Sequence, residues 1–74
     1  MDKKQMEFSV FCIESIAEKL GQTGDVIYEK LTKESNILND YIVSCYDVLH
    51  TQGKEYIVDD IIGVMKQKGV KISS

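Results

Sequence analysis

The sequence predicts an all-α protein, built as a compact bundle or orthogonal array of four helices. Apolar residues recur at steps of three and four along most of the chain, which is the pattern of one helical face. No proline occurs among the 74 residues, and Gly21, Gly53 and Gly69 stand where the apolar periodicity stops. The connections between periodic stretches are short, which favours neighbouring helices that pack against each other. A chain of this length has room for one domain, residues 1–74.

The first helix is predicted over residues 3–20. Gly21 follows it at the position where a left-handed residue commonly ends a helix. Its apolar stripe is Met6, Val10, Ile13, Ala17 and Leu20, widened by Phe8, Phe11, Cys12 and Ile16.

The second helix is predicted over residues 24–34. Thr23 can cap it, and Asp25 places a carboxylate near the positive end of the helix dipole. Ile27 and Leu31 share its apolar face, while Val26 and Tyr28 flank that face. Glu29 and Lys33 form a favourable pair four residues apart.

The third helix is predicted over residues 36–51, with Ser35 or Asn36 as its cap. Its apolar stripe is Leu38, Ile42, Cys45 and Leu49, bordered by Tyr41 and Val48.

Two interpretations remain open after Gly53. In one, a helix begins near Glu55. In the other, residues 56–58 are extended and Asp59 caps a helix over 59–68, which has the better local capping chemistry. Gly63 lies inside this helix, where glycine costs about 1 kcal/mol relative to alanine, and predicts a close helix contact. Residues 70–72 form a second candidate extended segment, although two isolated strands would be marginal.

Composition narrows the function classes. The net charge is −3, and all nine basic residues are lysines. Because arginine is the preferred group for guanine edges and bidentate phosphate contacts, nucleic acid is disfavoured as a partner. No apolar run reaches the roughly 18 to 20 residues that span a bilayer, so no membrane association is expected. Self-association, with a homodimer as the default, is a natural extra source of stability for so small a core.

The two cysteines indicate the compartment. Cys12 and Cys45 lie inside apolar helical runs, and the N-terminus lacks the long apolar region of a signal peptide. We therefore expect a cytoplasmic protein whose thiols are reduced core residues.

The stretch YDVLHTQGKEY, residues 46–56, contains the chain's single histidine and is the candidate functional segment. Tyr46 and Asp47 precede His50 by four and three residues, so all three can share one side of a helix. The same features also suit a helix end, because His50 favours the negative dipole end and Thr51 can bond a nearby carbonyl. We predict partner binding by Tyr46, Asp47, His50, Thr51 and Tyr56.

Catalysis and cofactor binding are not expected. Cys45 and His50 point roughly 140 degrees apart on an ideal helix, and zinc requires three or four convergent ligands. Asp59 and Asp60 are adjacent and diverge, and no glycine-rich phosphate loop occurs. The sequence therefore predicts a protein that is not an enzyme and holds no cofactor or metal.

A DNA-binding regulator of helix-turn-helix type is the alternative. Its recognition helix would begin near Asn36. The exposed positions of that helix include Asp40 and Asp47, which would face a polyanion.

The segment from Tyr41 to Val70 resembles a family of short bacterial proteins, domain-of-unknown-function family 3791. The resemblance rests on YDVLHTQG, on the following Tyr-Ile-Val-Asp-Asp-Ile run and on a closing Lys-Gly, and the looser first half is also similar. It implies a small companion protein with an antitoxin-like or regulatory role toward a toxin-like partner encoded nearby.

Overall fold

A computed structural model describes residues 1–72 of the chain. These residues fold as five helical segments. They are α1 (Lys3–Leu20), α2 (Gly24–Thr32), a π-helix (Leu38–Val43), α3 (Tyr46–Leu49) and α4 (Lys54–Gln67). No strand occurs in the described part of the chain. The predicted all-α class is therefore confirmed.

Helix α1 is the central element, since it packs against α2, the π-helix and α4. Apolar side chains fill the space between these elements. The largest fully buried side chains are Ile16, Ile27, Leu31, Ile37, Ile42, Ile61, Met65 and Cys12.

Helix α1 begins and ends as its local chemistry dictates. The Asp2 carboxylate accepts from the Gln5 backbone N–H at 2.7 Å, and the Gln5 side chain accepts from the Asp2 N–H at 3.1 Å. This reciprocal pair is a capping box, which satisfies two donors at the helix start. Gly21 ends the helix with φ of 66°, confirming the predicted left-handed position.

The buried face of α1 differs from the predicted stripe. Met6 and Val10 are exposed, whereas Cys12 and Ile16 are fully buried. The inner face turns toward Phe8, Cys12 and Ile16, which also recur at steps of four. The prediction of Met6 and Val10 as core residues is therefore wrong, while that of Ala17 is confirmed.

Helix α2 follows the prediction closely but ends at Thr32, before the predicted residue 34. The Thr23 hydroxyl caps it by accepting from the Val26 N–H at 3.3 Å. Ile27 and Leu31 are both fully buried. The expected surface pair of Glu29 and Lys33 forms at 3.8 Å.

The predicted continuous helix over residues 36–51 is wrong. The chain forms the π-helix first, breaks at Ser44 and Cys45, and resumes as the four-residue α3. Cys45 has φ of −101° and ψ of 16°, outside helical geometry. Ile37 occupies the cap position of the π-helix and makes no side-chain cap bond, so Asn36 is not a cap. The Ser35 hydroxyl accepts from the Ile37 N–H at 3.4 Å, just before the π-helix begins.

The start of α4 decides between the two open interpretations in favour of the helix predicted to begin near Glu55, and against the helix over 59–68. The helix begins at Lys54, so residues 56–58 are helical and not extended. Asp59 is consequently an interior residue and not a cap. The longer helix is favoured because it buries Ile57 and Val58 on the same side as Ile61. A methyl group added at Gly63 would meet no atom within 4 Å, so the close contact predicted there is wrong.

The segment after α4 folds back onto the core. Gly69 has φ of 77°, and the Val70 N–H donates to the Met65 carbonyl at 2.9 Å, a Schellman-type helix end. Residues 70–72 are irregular and form no strand with 56–58, so that candidate extended pairing is wrong. The Lys30 ammonium donates to the Lys71 carbonyl at 2.8 Å, which ties this segment to α2.

Candidate recognition surface

Helix α3 forms a corner of the molecule. Leu49 is buried and holds α3 in place, while the adjacent Val48 is 67% exposed. Because the helix breaks at Cys45, α3 does not continue the π-helix, and the Tyr46 ring contacts Phe8 on α1.

Four aromatic rings lie in sequence across α1 and α3, and we call Phe11, Phe8, Tyr46 and His50 the aromatic row. The Phe8 and Phe11 ring centroids are 6.3 Å apart. Tyr46 meets Phe8 edge-on at 5.4 Å and 80°. His50 stacks on Tyr46 at 4.5 Å with only 8° between the ring planes. Each such contact contributes about 0.5 to 1.5 kcal/mol beyond area burial, so the row is a mutually supported set of rings.

The two ends of the row face solvent. Phe11 is 41% exposed. His50 is exposed as well, whereas Phe8 and Tyr46 between them are half-buried. The row therefore presents apolar ring surface at one end and an imidazole with two polar nitrogens at the other.

Of the five predicted binding residues, the structure brings Tyr46 and His50 together. Asp47 and Thr51 are exposed nearby, and the Thr51 hydroxyl donates to the Val48 carbonyl at 2.7 Å. Tyr56 is exposed on α4, and within residues 1–72 no ring contact joins it to the aromatic row. Partner binding by these residues stays a prediction.

Sequence reasoning missed Phe8 and Phe11 as surface candidates. Both were assigned to the widened apolar stripe of α1, because helical spacing does not distinguish a core aromatic from one at the edge of the face. Their i, i+3 spacing was the available signal, since it allows two rings to stack on one side of a helix.

A polar contact between side chains joins the π-helix to α4. The Tyr41 hydroxyl donates a short hydrogen bond to the Asp60 carboxylate. This bond, with partial burial as a smaller cause, raises the pKa of Tyr41 to about 12, because it favours the protonated phenol. Asp60 thus links two helical segments.

Replacing Tyr41 with phenylalanine tests this bond. We expect the free energy of unfolding to fall by about 1 kcal/mol at neutral pH, since one hydrogen bond is lost. In the native chain, the Tyr41 contribution is fully present below the ordinary tyrosine pKa of 10.0 and is lost as the pH rises toward 12.

The variant should therefore lose less stability between those two pH values than the native chain does. Burial also raises the pKa of the Cys12 thiol from 9.0 to about 12. Both proteins therefore lose some stability through Cys12 in this alkaline range. Urea unfolding at a series of pH values measures the difference. Equal slopes for the two proteins would contradict the role of Tyr41.

An open groove of about 210 Å³ separates α1 from α4, with Ser15 and Val58 among its lining residues. The Lys54 ammonium lies 3.2 Å from the Glu18 carboxylate. The Lys19 ammonium lies 3.9 Å from the Asp59 carboxylate. Such exposed pairs contribute about 0 to 1 kcal/mol each and give no convergent acid and base. Within residues 1–72, no group of three or more histidine, cysteine or acidic side chains is placed to hold a metal.

A known protein family matches most of this chain. The family model described as a protein of unknown function (DUF3791) matches residues 7–68. The chain belongs to the DUF3791 family. The match runs from the first half of α1 to the end of α4, so the whole aromatic row lies inside the DUF3791 region. No curated protein and no solved structure matches the chain. Across residues 1–72 of this DUF3791 protein, no helix combines the length and apolar character needed to cross a membrane.

Proposed function

We propose that this DUF3791 protein is a cytoplasmic interaction module that binds another protein, as the antitoxin-like or regulatory partner of a neighbouring gene product. The single observation that supports this is the aromatic row, whose two ends are exposed. Tyrosine and other aromatic residues are enriched among the side chains that dominate binding energy at interfaces.

The rings of the row are held in place before any partner arrives. Phe8 supports one edge of Tyr46, and His50 covers one of its faces. Because immobilising a rotamer-rich side chain on binding costs about 0.5 to 1.5 kcal/mol, pre-ordered rings lose less entropy. The row is therefore suited to act as an anchor.

The surroundings of the row indicate the charge of the partner. Glu7 precedes Phe11 by four residues on α1, and Asp47 follows Tyr46 on α3; both carboxylates are exposed. An apolar centre beside acidic side chains suits a partner surface with an apolar pocket and a basic rim.

The proposal gives His50 a binding role and not a catalytic one. Its ring stacks on Tyr46, and within residues 1–72 no side-chain hydrogen bond links it to Asp47 or to Cys45. A general base would need a partner that orients or charges the imidazole. The two free cysteines support a reducing compartment.

Co-expression with the product of the adjacent gene, followed by pull-down and titration calorimetry, tests this function. We expect a complex whose dissociation constant rises at least about tenfold in each of His50→Ala and Phe11→Ala, because interface anchors contribute about 2 kcal/mol or more.

Tyr28→Ala is the matched control, since Tyr28 is a 49% exposed aromatic residue on α2, outside the row. It should bind like the native chain. Two results would contradict the proposal: the absence of any complex, and a complex that both row variants form with native affinity.

A further inference from the structure

The outer face of α1 carries a stripe that the fold leaves uncovered. Lys3, Met6, Val10 and Glu14 fall within an arc of about 80 degrees on the helix, and all four are exposed. Within residues 1–72, neither Lys3 nor Glu14 has an ion-pair partner. We call these four residues the outer stripe.

The covered part of α1 begins where the outer stripe ends. Helix α2 starts at Gly24, whose added Cβ would lie 3.8 Å from the Ile13 side chain. Farther along, Ala17 is buried. The apolar stripe of α1 therefore extends toward the N-terminus by about two turns beyond the part that α2 covers. Met6 and Val10 lie in this uncovered length.

We propose that the outer stripe pairs two copies of this chain through an antiparallel contact between their α1 helices. A two-fold axis level with residue 8 sets Met6 of each copy opposite Val10 of the other. The pair of Lys3 and Glu14 is centred half a residue farther along, about 0.75 Å of helix rise, so the same register also brings Lys3 of each copy beside Glu14 of the other. One register thus satisfies both the apolar and the charged positions, and the symmetry makes each contact twice.

Charge complementarity identifies a second copy as the occupant. The basic end of the stripe is Lys3 and the acidic end is Glu14, so the stripe is complementary to itself when reversed. A lipid surface or a uniformly charged partner would leave one of these ends opposed by like charge. The small core also gains from association, since a partner that binds only the folded state stabilises it.

The apolar centre of the contact lies apart from the aromatic row, although its acidic end does not. Phe8 lies about 160 degrees and Phe11 about 100 degrees around α1 from Val10, whereas Phe11 lies only about 60 degrees from Glu14. Dimer formation through Met6 and Val10 can therefore be measured whether or not a partner protein binds the row, so failure of either proposal leaves the other standing.

The expected dimer is weak. The uncovered length of about 12 residues spans roughly 18 Å of helix, which is short for a standard interface of about 800 Å² per partner. We expect a dissociation constant on the order of 100 µM, or about 5.5 kcal/mol of association free energy.

Sedimentation equilibrium of the full chain, from about 10 µM to 1 mM, tests the proposal across that range. Val10→Ser should raise the dissociation constant at least about tenfold, since the apolar centre is lost twice. Val26→Ser is the matched control, because Val26 on α2 is 40% exposed and Val10 is 48% exposed. It should dimerise like the native chain.

Exchanging the two charges gives the sharper test. Lys3→Glu alone and Glu14→Lys alone each place like charges opposite each other and should weaken the dimer. The double variant should restore it. Positions 3 and 14 are about 16 Å apart along one helix, so restoration requires contact between copies. Lys3→Glu also adds an acidic residue at the helix start, which favours the fold, so its effect is not an unfolding effect.

A native chain that stays monomeric at about 1 mM would overturn the proposal. So would a dimer that Val10→Ser and the single charge variants leave intact. Restoration in the double variant, with Val26→Ser unchanged, would support this interface.

Discussion

Replacing Ile27 with alanine is expected to leave most of this DUF3791 protein unfolded in water at room temperature. Ile27 is fully buried on α2 and belongs to the apolar core. Truncating a buried isoleucine to alanine costs about 2 to 5 kcal/mol, through lost burial and the cavity left behind. A core of this size supplies only about 3 to 5 kcal/mol in all. The loss is therefore comparable with the whole stability.

Val26→Ala is the control for this prediction, because Val26 is the neighbouring residue on the same helix and faces solvent. Its free energy of unfolding should change by less than about 0.5 kcal/mol, and alanine also has the better helix propensity. Urea unfolding followed by far-UV circular dichroism measures both variants, at one fixed protein concentration because association would add stability. Similar midpoints for the two variants would show that α2 is not packed as described.

Helix α2 shows why part of this fold could be predicted. Its cap, its apolar pair and its surface ion pair are all interactions between residues three or four apart. Local spacing carries that information, so Thr23, Ile27 and Leu31 were placed correctly. The all-α class follows for the same reason, because the periodicity that defines it is also local.

Helix α1 shows the limit of such patterns. Two series of apolar residues run along it at helical spacing, one containing Met6 and Val10 and the other containing Phe8, Cys12 and Ile16. Which series faces the core depends on where α2 and α4 lie, and the periodicity of α1 alone contains no information about that. The contact of Phe8 with Tyr46, which forms the aromatic row, was hidden for the same reason.

The π-helix was missed, and the sequence left the start of α4 open between two interpretations. The apolar spacing of residues 38–45 suits an α-helix equally well, and spacing does not report the hydrogen-bond register. At α4, capping by Asp59 would be worth about 1 kcal/mol. Burial of Ile57 and Val58 by the longer helix is worth about 1.5 to 3 kcal/mol for each side chain, which decides the outcome.

The largest effect outside the helices is expected at Val70. Replacing it with aspartate should lower the free energy of unfolding by about 3 kcal/mol or more, since the buried valine side chain is lost and a carboxylate must be desolvated or expelled. Expulsion would also move the Lys71 carbonyl away from the Lys30 ammonium, which is itself buried and would lose its hydrogen bond.

Val48→Asp is the matched control, because Val48 is the same residue type at an exposed position, and its stability should change by less than about 0.5 kcal/mol. The comparison also separates two pictures of the segment after α4. If residues 70–72 were held by backbone pairing alone, an aspartate at Val70 would be tolerated nearly as well as one at Val48. Because the structure holds the segment by a buried side chain, by the Gly69 turn and by Lys30, the two urea midpoints should differ widely. Equal midpoints would mean that the core closes without Val70, with the ammonium of Lys30 free to reach solvent.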